Sequence, residues 1–328
     1  MYCGNCFRDN ALVAALRRLG HDTLMLPMYL PMTLDEGDAS TGTPTFFGGI
    51  NVYLSHKFPW YRHAPAWLRS SLDSPRLLKW AGGLAAKTQP QDVGELTVSM
   101  LRGEAGNQSR ELDDLVAWLK LQPRPDALYL SNALLLGLAR RLRRDLGTRV
   151  IVFLQSEESF LDSMPEPWRT QAWTLLAERA SDVDGWIAPS TYFAGRMSRR
   201  LGLPPSRVHV VHNGIHLDGY HPASARQRDP AAPPVLGFFA RMCPEKGLDI
   251  VVDAFLELRR RGRIPNLQLK VGGGCGPLDE PYVATQKARL AKAGLSQDAS
   301  FHPNVSRAGR SEEHTSELQS LAYLVCRL

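Results

Sequence analysis

Arg241 and Lys246 stand five positions apart in the run Phe239-Ala240-Arg241-Met242-Cys243-Pro244-Glu245-Lys246-Gly247-Leu248. An apolar, strand-like stretch (Val235–Phe239) leads into this run, and a helical pattern opens at Leu248. Two cations in a short loop between a strand and a helix N-terminus make a phosphate site. The helix end supplies unpaired N–H groups and a partial positive charge, and the side chains supply full charges. Pro244 stiffens the loop, and Gly247 lets the backbone come close to a ligand. The bland alternative is an exposed basic turn ahead of an ordinary helix.

Other groups could do chemistry elsewhere. Gln155-Ser156-Glu157-Glu158 follow a strand, at the edge where open α/β sheets bind their ligands. Glu157 and Glu158 are candidate catalytic carboxylates that would orient or deprotonate a hydroxyl. Their alternative role is to favour a helix dipole. His212-Asn213-Gly214-Ile215 reads as a turn in which Gly214 takes positive φ and Asn213 lines a cleft. Gly272, Gly273 and Gly274 end another strand. Gly4 and Asn5 precede the first helix, where backbone N–H groups can face a phosphate or an acceptor, with Arg8 and Asp9 in the first helical turn and able to reach a cleft. Cys3 and Cys6 form a C-x-x-C at that helix start, so a redox pair is a rival to two small buried cysteines. Cys243 and Cys275 are isolated, and no zinc site is expected. Asp35, Glu36 and Gly48–Tyr53 are either acceptor-side residues or parts of a surface hairpin.

The positioning elements follow from periodicity. Residues 7–19 read as a helix closed by Gly20, and His21–Leu26 as a buried strand. Residues 31–109 are less regular and read as an insertion with short helices and a strand pair around Phe46–Leu54. Helices are then expected at 110–121, 132–146, 168–180 and 191–201, with strands at Pro125–Leu130, Val150–Leu154, Gly185–Pro189 and Val208–His212. Pro-rich residues 221–234 form a linker. A second series follows: strand 235–239, helix 248–261, strand Leu267–Val271, helix 281–293 and strand Ala299–His302. Helices alternating with short apolar strands mean doubly wound parallel sheets. The domains are therefore 1–220 and 235–309, the first lacking its opening strand and the second incomplete.

The R-x-x-P-E-K-G run, the Asn-Gly-Ile turn and the paired Rossmann-like halves resemble the retaining family 4 of GT-B glycosyltransferases. That resemblance spans residues 1–309 and implies an α/β GT-B fold. It implies that Arg241 and Lys246 hold the diphosphate of a nucleotide-sugar, helped by Gly4 and Asn5 in the family's Gly-rich loop. Gly272, Gly273, Gly274 and Asn304 would lie on the nucleotide side, and Asn213 and Gly214 in the interdomain cleft. A hydroxyl acceptor (glycan, lipid or small molecule) would sit on the first domain. No cofactor and no metal are expected. Many members carry a His where this chain has Gln155. The family's spaced pair of Glu residues is not found on the C-terminal side, so a non-catalytic nucleotide-binding module is a second reading.

Residues 310–328 resemble the translation of a sequencing adapter, so the native sequence is expected to stop near Gly309 and Glu312, Glu313 and His314 get no role. The chain is thus expected to be an inactive fragment, truncated at both ends. Its formal charge of +6 raises the question of nucleic acid, but the Arg residues are spread over helices and not interleaved with aromatics, so no nucleic-acid partner is expected. Such basic faces suit solvent or an anionic membrane surface. No apolar run approaches a membrane span, no signal peptide is expected from the residues after Met1, and the five cysteines are few and odd in number. A reducing cytoplasm is expected, with peripheral contact at the inner membrane face as a further option.

Overall fold

The computed structural model describes residues 4–28, 37–40, 42–47, 90–214, 232–277 and 279–304, with side chains from Arg8 and, after the gap, from Val93 onward. Contacts divide these into two units, one up to residue 214 and one from residue 232.

In the first unit, four strands form a wholly parallel sheet in sequence order: β1 (Ala127–Leu130), β2 (Arg149–Phe153), β3 (Gly185–Ala188) and β4 (Val208–Val210). The register sets Leu128 beside Val150, Val152 beside Trp186, and Ala188 beside Val210. Between them run a 3-10 turn (Ala133–Leu138) continuing into α4 (Ala139–Leu146), then α5 (Glu157–Ser163), α6 (Trp168–Arg179) and α7 (Thr191–Leu201). Ahead of the sheet come α1 (Gly4–Arg18), α2 (Pro90–Arg102) and α3 (Ser109–Lys120).

These elements form for local reasons. Leu112, Leu115, Val116 and Leu119 give α3 one apolar stripe, and all four are buried. Asn132 and Ser190 cap the turns that follow β1 and β3, accepting from the N–H groups of Leu134 and Phe193. α4 and α7 both stop at a left-handed glycine, Gly147 and Gly202. Val150, Val152 and Trp186 are fully buried at the centre of the core.

Three expectations change. His21–Leu26 is not a strand, and Leu24 is 51% exposed. Side chains and isolated backbone contacts hold this segment instead of a ladder. Arg17 donates to the Thr23 carbonyl, the Thr43 hydroxyl to Met25, and the Phe47 N–H to Met28. The expected helix 132–146 begins as a tighter 3-10 turn, because the Gly137 backbone is pressed against the end of α2. A Cβ at Gly137 would lie 2.0 Å from the Met100 carbonyl oxygen, and one at Gly103 would lie 1.9 Å from the Gly137 carbonyl oxygen. Finally, α2 falls inside the stretch read as an insertion, yet Val98 and Leu101 belong to the core. The strand pair around Phe46–Leu54 is not formed at Phe46 and Phe47, and its remainder lies outside the described residues.

The second unit repeats the scheme. β5 (Val235–Phe239), β6 (Gln268–Gly273) and β7 (Ala299–Pro303) form a parallel sheet in sequence order. α8 (Leu248–Arg261) joins β5 to β6, and α9 (Glu280–Lys292) joins β6 to β7. Phe238, Leu248, Val252, Phe255, Leu269, Val271 and Leu290 make its core.

The basic helix faces are largely neutralised within their own units. Arg140, Arg143 and Arg144 pair with Asp182, Asp184 and Glu104, and Arg259, Arg260 and Arg261 pair with Asp298 and Glu257. Among the described residues, no helix is long and apolar enough to cross a membrane.

Gly137→Ala is expected to cost at least about 3 kcal/mol in urea unfolding, because backbone must move to admit the methyl. Gly202→Ala, which meets nothing within 4 Å but holds φ +65°, should cost only about 1–2 kcal/mol. A second measurement concerns Asp145, whose pKa is lowered to about 2 by hydrogen bonds from Arg144 and Arg141. A depressed carboxylate stabilises the fold above its unfolded pKa and loses that contribution as pH falls through the folded value. The stability difference between wild type and Asp145→Asn should therefore be full above about pH 5 and vanish toward pH 2 in acid-titrated denaturation.

Candidate functional site

The site of the second unit is built where its strands end. β5 delivers Ala240 and Arg241 to the carboxyl edge of the sheet. There the chain turns through a 3-10 turn (Pro244–Lys246) and a left-handed Gly247 (φ +74°) into α8. β6 ends beside it. The Ala240 N–H donates to the Gly272 carbonyl at 3.2 Å, and the Met242 N–H to the Gly274 carbonyl at 2.8 Å. This approach requires Gly273. Its φ is +128°, and a Cβ there would sit 2.0 Å from the Ala240 carbonyl oxygen. Asn304, just past β7, closes the group. Its N–H donates to the Gly273 carbonyl at 2.8 Å, and its side chain brackets Cys275, accepting from the N–H at 3.0 Å and donating to the carbonyl at 2.9 Å. Arg241, Lys246, Gly272, Gly273, Gly274 and Asn304 thus lie in the loops of one sheet edge.

Within that edge the charges are arranged unequally. The Arg241 guanidinium makes a bidentate pair with Asp279, Nε to Oδ2 at 3.0 Å and Nη2 to Oδ1 at 2.9 Å. Arg241 stays 60% exposed at its side chain while that of Asp279 is 6% exposed. Burial pushes the Asp279 carboxyl up, but the guanidinium and the Gly276 N–H outweigh it and leave the pKa lowered. Lys246 is exposed and has no carboxylate within ion-pair distance among the described residues. The loop between them is held from inside. Glu245 accepts from its own backbone N–H and from the buried Cys243 thiol, which lowers the carboxyl's pKa. Burial and then Glu245 raise that of the thiol. At the start of α8, the Asp249 N–H is already taken by the Tyr282 hydroxyl at 3.0 Å, which donates in turn to the Asp249 carboxylate. The anion-binding capacity there rests on the side-chain cations more than the sequence suggests.

The remaining candidates lie in the first unit. Ser156 takes a left-handed conformation (φ +61°) after β2 and turns Glu157 back on the chain. Both Glu157 oxygens are thereby spent on backbone, accepting from Ala133 N–H at 2.8 Å and Gln155 N–H at 2.7 Å. Burial raises its pKa against these bonds. This carboxylate ties the turn after β1 to the turn after β2. Glu158 is buried with one oxygen unpartnered, and its other oxygen lies 3.8 Å from Arg196. Of the two, only Glu158 has a buried carboxylate oxygen without a hydrogen-bond partner among the described residues. Asn213 and Gly214 are exposed beyond β4, where the His212 ring nitrogen meets the Pro189 carbonyl at 3.0 Å. Gly214 does not take the positive φ expected of it, and no heavy atom crowds it. Gly4 and Asn5 are not ahead of α1 but in its first turn, so their backbone is helical. Cys3, Asp35, Glu36 and Gly48–Tyr53 lie outside the described residues.

Two residues go unread in sequence. Asp279 is one, and its signal is an acidic residue directly after a glycine-rich strand end and before Glu280-Pro281, a helix-start pattern. The other is Arg8, noted only as within reach of a cleft. It donates to the Ser131 carbonyl at 3.1 Å, pairs with Asp9 and lies 4.6 Å over the Phe153 ring, with Nη1 buried and unpartnered.

Residues 99–218 match the family described as Glycosyltransferase Family 4. Over that stretch the chain is similar to family 4 glycosyltransferases, and its fold is of the GT-B kind. The match takes in Glu157, Glu158, Asn213 and Gly214 and stops short of Arg241. A GDP-mannose-dependent alpha-(1-6)-phosphatidylinositol monomannoside mannosyltransferase from Mycolicibacterium smegmatis is 28% identical over 134 residues, which are 39% of this chain and 33% of that enzyme. The chain therefore matches about a third of that relative's length. Anabaena HepE, solved with UDP and glucose, superposes with a TM-score of 0.50 at 18% identity, over 66% of this chain and 56% of HepE. HepE solved with UDP gives 0.50 at 16% identity, over 87% and 70%. These two likenesses bear on the fold.

Glu157→Gln should lower stability by about 1–3 kcal/mol, since an amide has one acceptor oxygen for the two backbone N–H groups that now share a carboxylate. Urea unfolding followed by Trp fluorescence measures it. A variant as stable as wild type would show that those N–H groups find other partners.

Proposed function

We propose that this chain belongs to an enzyme that moves a sugar, with retention of configuration, from a nucleoside-diphosphate donor to a hydroxyl acceptor. The observation that carries the reading is the pair of cations after β5. Arg241 spends two of a guanidinium's five N–H groups on Asp279, leaving three, and Lys246 keeps its ammonium free of carboxylates among the described residues. Both belong to a loop that enters a helix at a left-handed glycine, on the carboxyl edge of a parallel sheet. The family 4 match and the GT-B likeness support the same reading from outside the loop.

In this reaction the acceptor oxygen bonds to the anomeric carbon, the bond to the diphosphate breaks, and its electron pair leaves with the diphosphate. The acceptor proton is carried off with the leaving group. Arg241 and Lys246 stabilise the charge that develops on the departing diphosphate, where fixed cations contribute most. Glu158, whose Oε2 has no hydrogen-bond partner among the described residues, is the candidate carboxylate for the acceptor hydroxyl. The reaction is metal-independent, and the protein is cytoplasmic in this reading.

Lys246→Ala should weaken binding of UDP or GDP by about tenfold or more, through loss of one charge-assisted contact. Isothermal titration of the 328-residue chain measures it, with EDTA present so that no metal contributes. If neither nucleotide binds, or the variant binds as wild type does, the donor-site reading fails. Retention is read from the anomeric configuration of the product by NMR.

A further inference from the structure

We propose that Asp279 is a positioning residue for the donor: it holds one edge of the Arg241 guanidinium so that the opposite edge faces the diphosphate, and it keeps that hold when nucleotide is bound. This rests on the donor-site reading above and goes one step inside it.

A guanidinium has two edges that can meet an oxyanion bidentately, one formed by Nε and an Nη and one by the two Nη groups. Asp279 occupies the first edge, at 3.0 and 2.9 Å. Three N–H groups remain, two of them along the second edge, on a side chain that is 60% exposed. A free Arg of that exposure loses much of its rotamer freedom when it closes on a ligand. An Arg already clamped has lost most of it in advance, so its remaining contacts count more toward binding.

The clamp is itself fixed. Asp279 is buried, and its Oδ2 also accepts from the Gly276 N–H at 3.0 Å. Its own N–H donates to the Gly276 carbonyl at 2.9 Å, and its carbonyl receives the Val283 N–H at 3.0 Å, the first bond of α9. It stands at the N-cap position of α9 yet makes no side-chain capping bond to that helix. The usual use of an Asp at this place is forgone, and the carboxylate is turned onto a cation of another loop. The glycine-rich loop after β6 thereby sets the direction of a side chain carried by the loop after β5.

A double-mutant cycle tests this. Dissociation constants for UDP and GDP are measured by calorimetry for wild type, Arg241→Ala, Asp279→Asn and the double variant. Each single change should weaken binding about tenfold, and the double variant should bind no more weakly than Arg241→Ala, because Asp279 acts only through Arg241. Losses that add, or an Asp279→Asn variant that binds as wild type does, would overturn the proposal. If Arg241→Ala itself binds normally, the donor-site reading falls as well, so the two failures are told apart. Where circular dichroism shows Asp279→Asn unfolded, the wild-type chain supplies the readout. The Arg241 Nε–H resonance, assigned by nitrogen-15 NMR, should stay protected from exchange when UDP is added. Loss of that protection on saturation would mean that the phosphate displaces Asp279, and the proposal would fail.

Discussion

Two parallel strands cannot be joined by a tight turn; the chain must cross back before it can pair again. In both units every described strand pair is parallel, and in both the return is made by helices. The consequence is that every strand delivers its carboxyl end to the same edge of its sheet. In the second unit that edge gathers Arg241, Lys246, Gly273 and Asn304, residues far apart in sequence. In the first it gathers Ser131, Ser156 and Asn213. The chemistry is concentrated by this rule of connection before any side chain makes a contact.

Closing such an edge needs backbone to lie on backbone, and it needs buried charge to be compensated. Gly273 meets the first need, since any side chain there would strike the Ala240 carbonyl. Two buried carboxylates meet the second in different ways. Glu157 is satisfied by main-chain N–H groups at both oxygens, so its work is to bind two turns together. Asp279 divides itself between one main-chain N–H and an exposed guanidinium, so part of its interaction faces the solvent side of the site. The sequence does not distinguish an acid of the first kind from one of the second.

What was legible in the chain was whatever is encoded locally. Gly147 and Gly202 close helices where a residue without Cβ is required. The β5–α8 connection with Arg241 and Lys246 could be read from one continuous run. What was not legible depends on distant partners. His21–Leu26 has the composition of a strand, but a strand exists only when a neighbour takes its hydrogen bonds, and here side chains and turns take them. Glu157 and Glu158 are adjacent and look alike, yet only the fold decides that the first is consumed by Ala133 and Gln155. The pairing of Arg241 with a residue 38 positions away has no local signature at all.

The shared guanidinium also bears on how firmly the loop can keep what it catches. A cation whose one edge is already fixed gives up less freedom on closing over an anion, which offsets the charge that Asp279 neutralises. In the donor-site reading proposed above, that balance sets how readily a spent nucleoside diphosphate leaves.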